Sequence, residues 1–252
     1  MGRWHYGYAG LRVASELPIP EWAAFVQPGS FEDADVRIAL GGAQTFQTSE
    51  VSKTSEVLTP YTTADEYRFH IPEAGDYWVH HGREIIVTPA PDAGAREVRL
   101  FLLGSAWGAR CYQRGILALH SSVVQAGDHA IAFCGETGSG KSSVAAWLIS
   151  RGYRLVSDDL CRCEVADEKA RVYPSAPRLK LWHDALDVMG WSEEGLERDH
   201  FRMDKFHKDL TGFWKPVRSA PLRAIYLLDW GEPSIARLTG MNALRRLVAA
   251  AT

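Results

Sequence analysis

The chain has no apolar run long enough to cross a bilayer. Its longest, Leu100 to Ala109, is interrupted by Gly104 and Ser105 and falls well short of the ~20 residues a spanning helix needs. No leader is visible either, since Trp4, His5 and Tyr6 pass straight into ordinary mixed sequence. Clustered basic residues are missing as well. With 28 Lys and Arg against 31 Asp and Glu, the formal net charge is −3, which gives no electrostatic basis for nucleic-acid binding. Cysteine is sparse. Cys111, Cys134, Cys161 and Cys163 read as buried thiols of a reducing compartment rather than as disulfides. Cys161 and Cys163 have one intervening residue, unlike the usual zinc spacing, and fall on an expected strand. Internal repeats are also lacking. These absences leave a soluble, cytoplasmic enzyme as the expectation, with no membrane and no nucleic-acid partner. At 252 residues it has room for one large domain or two small ones.

What is present changes texture along the chain. Up to about residue 95 the sequence reads as mainly β. Tyr6–Val13, Asp35–Leu40, Glu66–Ile71, Asp76–His80 and Glu84–Thr88 are short, alternating or β-branched, and bounded by Gly, Pro or Asp turns. Gln44 to Thr63, rich in Thr and Ser, reads as a loop or hairpin. Pro89–Gly94 is the expected boundary, so residues 1–95 form a β-rich region and 96–252 a second domain. A buried helix from Arg96 to Arg114 leads into that domain. Near the other end, Leu222 to Asp229 reads as a buried strand and Met241 to Ala250 as a helix with an apolar face.

The most informative segment is Gly135-Glu136-Thr137-Gly138-Ser139-Gly140-Lys141-Ser142. It satisfies G-x-x-x-x-G-K-[ST] at every fixed position. The strand-like Ala130–Cys134 precedes it and a helical run from Ser143 to Ile149 follows. Glycines let the backbone N–H groups wrap phosphate oxygens, and the helix start adds a favourable dipole. In such a loop Lys141 reaches the β- and γ-phosphates and the Ser142 hydroxyl holds Mg²⁺. The expectation is a nucleoside triphosphate site, with Ser143 in the first turn of its helix.

A second signal follows at Arg151–Asp159. Gly152 reads as the C-cap of the loop's helix, and Arg154–Ser157 as a short strand with Asp158 and Asp159 at its C-terminal end. That edge is where ligands bind in open α/β sheets. Two carboxylates there allow metal binding and proton abstraction to be divided, while a turn with a helix cap is the structural alternative.

Leu119-His120-Ser121-Ser122-Val123-Val124, the phosphate loop and Arg151–Asp159 together resemble the catalytic half of the bacterial HPr kinase/phosphorylase family. Its members carry a histidine on a strand shortly before G-x-S-G-x-G-K-S, followed by R-G-H-R-L-V-x-D-D. Thr137 replaces the loop serine here, and Tyr153 the histidine. The likeness spans about residues 115 to 230. It implies an α/β P-loop kinase fold related to phosphoenolpyruvate carboxykinase, behind a β-rich N-terminal region. It also implies ATP and Mg²⁺ as cofactors and transfer of the γ-phosphoryl group to a hydroxyl of a peptide or protein with an acceptor serine.

By the same resemblance Asp158 is the general base and Asp159 assists with Mg²⁺. His120 lies beside them and sets their charge state, although a strand histidine bonded to a backbone carbonyl is the plainer alternative. Tyr173–Trp182 resembles a P-x-x-P-R-L-[RK]-L-W stretch of smaller relatives, which directs Arg178 and Lys180 toward phosphate oxygens; a solvated strand edge is the alternative. His200–His207 offers Lys205 near the transferred group, or as a surface charge. The family's downstream metal-binding Glu signature has no counterpart, which gives no support to phosphorylase activity. In size and layout the chain is similar to short HPr-kinase-like proteins encoded with lasso peptides, which phosphorylate the C-terminal serine of a precursor. A kinase of HPr or another folded protein, and an ATP-binding regulator without transfer, are the alternatives. Intact Asp158 and His120 weigh against the regulator. A homo-oligomer is compatible with each.

Overall fold

The computed structural model describes residues 3–30, 32–42, 61–199, 202–211, 214 and 218–250. Most of the expected Gln44–Thr63 loop, together with His200, Phe201 and the last two residues, lies outside them. The chain divides into two compact units, Met1–Ile116 and Leu117–Thr252.

The first unit is built on a seven-stranded sheet. Trp4–Tyr8 (β1) and Leu11–Ser15 (β2) form a hairpin where the sequence reading has one strand. The chain reverses at Ala9 (φ 50°) and Gly10 (φ 75°). Two consecutive positive φ values make the two-residue turn whose twist suits a hairpin. Val36–Leu40 (β3), Tyr61–Thr62 (β4), Glu66–Ile71 (β5), Gly75–His80 (β6) and Glu84–Pro89 (β7) complete the sheet in the order β1-β2-β3-β7-β6-β5-β4. Val13, Val36, Ile38, Tyr77, Val79 and Val87 are fully buried, each aliphatic one contributing roughly 1.5–3 kcal/mol.

The helical segment that the sequence assigns to the second domain belongs to this unit. It consists of Ala95–Phe101 (α1), a wider π turn at Leu102–Ala106, and Trp107–Gln113 (α2). The Tyr77 hydroxyl donates to Val98 O at 2.8 Å, and Arg99 Nε contacts both Glu21 oxygens at 2.8 and 3.0 Å. Trp22 stacks on Tyr8 at 4.0 Å and meets Trp107 edge-on at 5.1 Å. The division between units therefore falls at 116/117 and not at 95/96, because the helix buries its apolar side against strands that precede it.

The second unit holds Leu117–Ala126 (β8), His129–Cys134 (β9), Lys141–Ile149 (α3), Arg154–Ser157 (β10), Leu160–Ala166 (β11) and Lys169–Val172 (β12). Arg178–Trp182 (β13), His183–Met189 (α4), Glu197–Asp199 (β14), Arg202–Asp209 (β15), Ala220–Leu227 (β16) and Gly240–Ala249 (α5) follow. β8, β11, β12, β16 and β9 pair in turn, and β9 pairs again with β8, so the mixed sheet closes on itself. Leu119, Val123, Ala132, Cys134, Val156 and Cys161 fill its interior. A small antiparallel sheet, β13-β15-β14, stands apart from it. All four cysteines are free and buried. Leu247 is the α5 residue that packs against this core, whereas Met241, Leu244 and Val248 are exposed.

Candidate active site

The glycine-rich loop joins β9 to α3, as its sequence predicts. Gly135 leaves the strand at φ 148°, where a Cβ would lie 2.7 Å from Leu228 O and 2.6 Å from Ser139 Oγ. No side chain fits there. Gly140 caps α3 at φ 90°, a left-handed conformation that glycine adopts without strain. Lys141 is buried, and its Nζ donates to Gly135 O at 2.8 Å and Glu136 O at 2.9 Å. Burial lowers its pKa, the Lys205 charge lowers it further, and Asp158 and Asp159 offset part of that. Gly152 ends α3 as expected, with Tyr153 N donating back to Leu148 O at 3.2 Å.

The carboxylate pair sits in an unexpected place. β10 and β11 run as one interrupted strand along β8, with Leu155 opposite Val124, Ser157 opposite Val123 and Leu160 opposite His120. Asp158 and Asp159 occupy the interruption, so the two carboxylates lie within a long strand and not at the free end of a short one. The bulge turns at Asp159, whose φ is 73°, a region that Asp tolerates better than most residues. Ser121 N and His120 Nδ1 both reach Asp159 O, at 3.2 and 2.9 Å.

Each carboxylate has its own surroundings. Asp158 is 9% exposed. Its Oδ1 accepts from Ser122 Oγ at 2.5 Å and Ser142 Oγ at 3.0 Å, and its Oδ2 from Lys180 N at 2.9 Å. Burial raises its pKa above the ordinary Asp value; the Ser122, Lys180 and Ser142 bonds oppose this, and the neighbouring Asp159 charge adds to it. The Asp159 side chain is 38% exposed and pairs with Lys180 Nζ at 2.6 Å. Burial would raise its pKa too. The Lys180 ammonium, helped by His120 and Lys205, outweighs burial and holds the carboxyl well below the usual range. His120 Nδ1 is 3.5 Å from Asp159 Oδ1. Desolvation lowers its pKa, against the pull of Asp159. A carbonyl can only accept, so Nδ1 carries a proton whether the ring is neutral or charged. The two sequence readings of His120 thus meet in one arrangement, a backbone-bonded histidine whose partner is Asp159.

A cavity of about 460 Å³ gathers these groups. His120, Asp158 and Asp159 line it, as do Lys180 and Lys205. From the loop come Thr137, Gly138, Gly140, Lys141, Ser142 and Ser143. Gly135, Glu136, Ser139 and Arg178 do not line it. Gly135 and Glu136 act through the carbonyls that hold Lys141, and Arg178 is opposite Asp209 at the far end of β13. Trp182 closes the P-x-x-P-R-L-[RK]-L-W stretch, while two lining residues, Asp184 and Trp230, carry no motif signal. A second cavity of about 650 Å³ shares Gly138, Trp182 and Asp184 with the first.

The loop suits a triphosphate. Its backbone bends where only glycine fits, a buried ammonium lies within it, and the buried Ser139 Oγ has no hydrogen-bond partner among the described residues. Among the described residues no group of three or more His, Cys, Asp or Glu is placed to hold a metal. Ser142 and Asp159, the residues expected on the metal side, both line the cavity, and with phosphate oxygens they would offer Mg²⁺ its usual mixture of ligands.

No family model matches the chain, and no curated protein does. Among solved structures, the Hpr(Ser) kinase/phosphatase from Coxiella burnetii matches 47% of this chain at 17% identity, with a TM-score of 0.33. This chain spans 64% of that protein's length. Among the described residues no helix is long and apolar enough to cross a membrane.

Proposed function

We propose that the chain is an ATP-dependent serine kinase of the HPr-kinase type, acting on a peptide. One contact carries this reading: Ser142 Oγ to Asp158 Oδ1 at 3.0 Å. It ties the first turn after the phosphate loop to a buried carboxylate with a raised pKa, and both line one cavity with Lys141. Lys141 and the loop N–H groups would bind the β- and γ-phosphates, with Ser142 and Asp159 on the Mg²⁺ side. When bound, Mg²⁺ supplies charge neutralisation for the phosphates. The acceptor serine gives its proton to Asp158 as its oxygen bonds to phosphorus and the bond to the leaving diphosphate breaks. Burial that raises the pKa of Asp158 makes it a stronger base than an exposed carboxylate. His120 and Lys180 hold Asp159 in place. The second cavity, which shares Gly138, Trp182 and Asp184 with the first, is where we place the acceptor chain. The C-terminal serine of a lasso peptide precursor is the acceptor that the sequence layout favours.

A second assignment of the two carboxylates has its own observation. Both Asp158 oxygens are engaged, one by the hydroxyl proposed for Mg²⁺, while Asp159 is the more exposed. Asp158 would then position the metal side and Asp159 would take the proton. The pH profile separates the two. With Asp158 as base, activity falls as pH drops through a pKa above 3.8; with Asp159, that fall lies below 3.8.

The test is incubation with γ-labelled ATP and three acceptors: precursor peptides ending in serine, the same peptides with the serine replaced, and HPr. Phosphate mass on the terminal serine supports the reading. Transfer only to HPr reassigns the acceptor to a folded protein, and nucleotide binding without transfer to any acceptor favours a regulator.

A further inference from the structure

The cavity has two unlike sides, set by the strands that flank β9. One edge of β9 pairs antiparallel with β8, with Ser121 opposite Cys134. His120, Asp158 and Asp159 come from that side. The opposite edge pairs parallel with β16, with Leu227 opposite Cys134, and Leu228 N donates to Cys134 O at 2.8 Å. The chain then leaves the sheet beside the first residues of the phosphate loop and presents Trp230 to the cavity. Trp230 is 82% exposed. The turn that carries it is fixed by Asp229, whose Oδ1 accepts from Trp230 N at 3.0 Å and whose Oδ2 accepts from Arg246 at 3.0 Å.

Taking the nucleotide reading above as the basis, we infer that Trp230 is the platform on which the nucleobase stacks. The transferred phosphate must face the carboxylates on the β8 side. Phosphates strung along the loop then direct the nucleoside away from them, toward the β16 side, where Trp230 is the aromatic side chain that lines the cavity. Trp182, the other lining tryptophan, belongs to β13 on the carboxylate side, with Lys205 Nζ 5.8 Å from its ring centroid. A large exposed indole beside a polar loop leaves apolar surface in water, and a flat aromatic base can cover it on binding.

The experiment compares the affinities of ATP and inorganic tripolyphosphate for wild type, Trp230→Ala and Trp230→Phe by calorimetry. Trp230→Ala is expected to weaken ATP about ten- to a hundredfold, the range of base–aromatic stacking. Tripolyphosphate, which has no base, binds it as it binds wild type. Trp230→Phe keeps most of the ATP affinity. Because the side chain is exposed, the alanine variant folds as wild type does, and a melting curve checks this. The inference is overturned if Trp230→Ala binds ATP as tightly as wild type. It is equally overturned if both ligands weaken in parallel, which would make Trp230 a support for the loop. Wild-type protein that binds neither ligand removes the nucleotide reading itself, and this inference with it.

Discussion

Asp158→Asn removes a proton acceptor from the middle of a hydrogen-bonded cluster while keeping its shape. In the protein Oδ2 accepts from Lys180 N, and Oδ1 receives two hydroxyls, Ser122 and Ser142. An asparagine can turn its carbonyl to Lys180 N and donate its two amide hydrogens to the serines, which rotate to accept. The Ser122 contact needs to lengthen by a few tenths of an ångström. Loss of a general base is worth about 10²–10⁴ in rate, or about 2.7–5.4 kcal/mol of barrier. Stability moves the other way. Because the folded carboxyl has a pKa above the unfolded 3.8, its contribution is whole below that value and declines as pH rises through the folded pKa. The neutral variant escapes this decline. Its melting temperature should therefore gain on wild type as pH rises above 3.8 toward the raised folded pKa, and the two should converge in acid. Single-turnover transfer at saturating ATP and melting curves across pH measure both effects. A wild-type rate refutes the base assignment. So does recovery of rate at high Mg²⁺, or a melting-temperature gap that narrows as pH rises.

Three more outcomes follow from the site. Lys141→Ala should abolish transfer and weaken tripolyphosphate binding, because Lys141 is the loop's only cationic side chain; near-normal turnover in a kinase assay would refute the loop assignment. Lys180→Met leaves Asp159 without its 2.6 Å partner. Asp159 is depressed in wild type, so its stabilisation is present above pH 3.8 and lost as pH falls through the folded pKa. The variant should melt lower at pH 7, with the gap closing in acid, as scanning fluorimetry would show. Gly135→Ala places a Cβ 2.7 Å from Leu228 O at φ 148°. A strain of about 1–3 kcal/mol should appear as a lower melting temperature and weaker ATP binding by calorimetry.

The phosphate loop was legible because its chemistry is local: eight consecutive residues specify the bend, the ammonium and the helix start. The strands were legible for the same reason, since alternation and turn residues act over a few positions. What failed needed distant partners. The 95–113 helix shows an apolar side in sequence, but nothing in it tells that Tyr77, Glu21 and Trp22 are its neighbours. Ala9-Gly10 lacks the Asn-Gly or Asp-Gly pair that marks a tight hairpin, so β1 and β2 read as one strand. Asp158 and Asp159 were found by motif, yet their position in a bulge depends on pairing with residues more than thirty positions earlier. Trp230 reaches the cavity through the parallel pairing of β16 with β9, which leaves no trace in either segment.

The interrupted strand along β8 restricts how such a protein can change. His120, Ser122, Asp158 and Asp159 are placed by a ladder of backbone hydrogen bonds, in which a shift of one residue turns each side chain to the opposite face. Small adjustments there are therefore unavailable: an insertion in Leu117–Ala126 or Arg154–Ala166 replaces the whole set of facing groups at once. Trp182, Asp184 and Trp230 enter the cavity from outside that ladder, and each can be exchanged without disturbing it. Divergence among proteins of this design should accordingly accumulate in the cavity wall that carries Trp182, Asp184 and Trp230, while the carboxylate cluster passes unaltered.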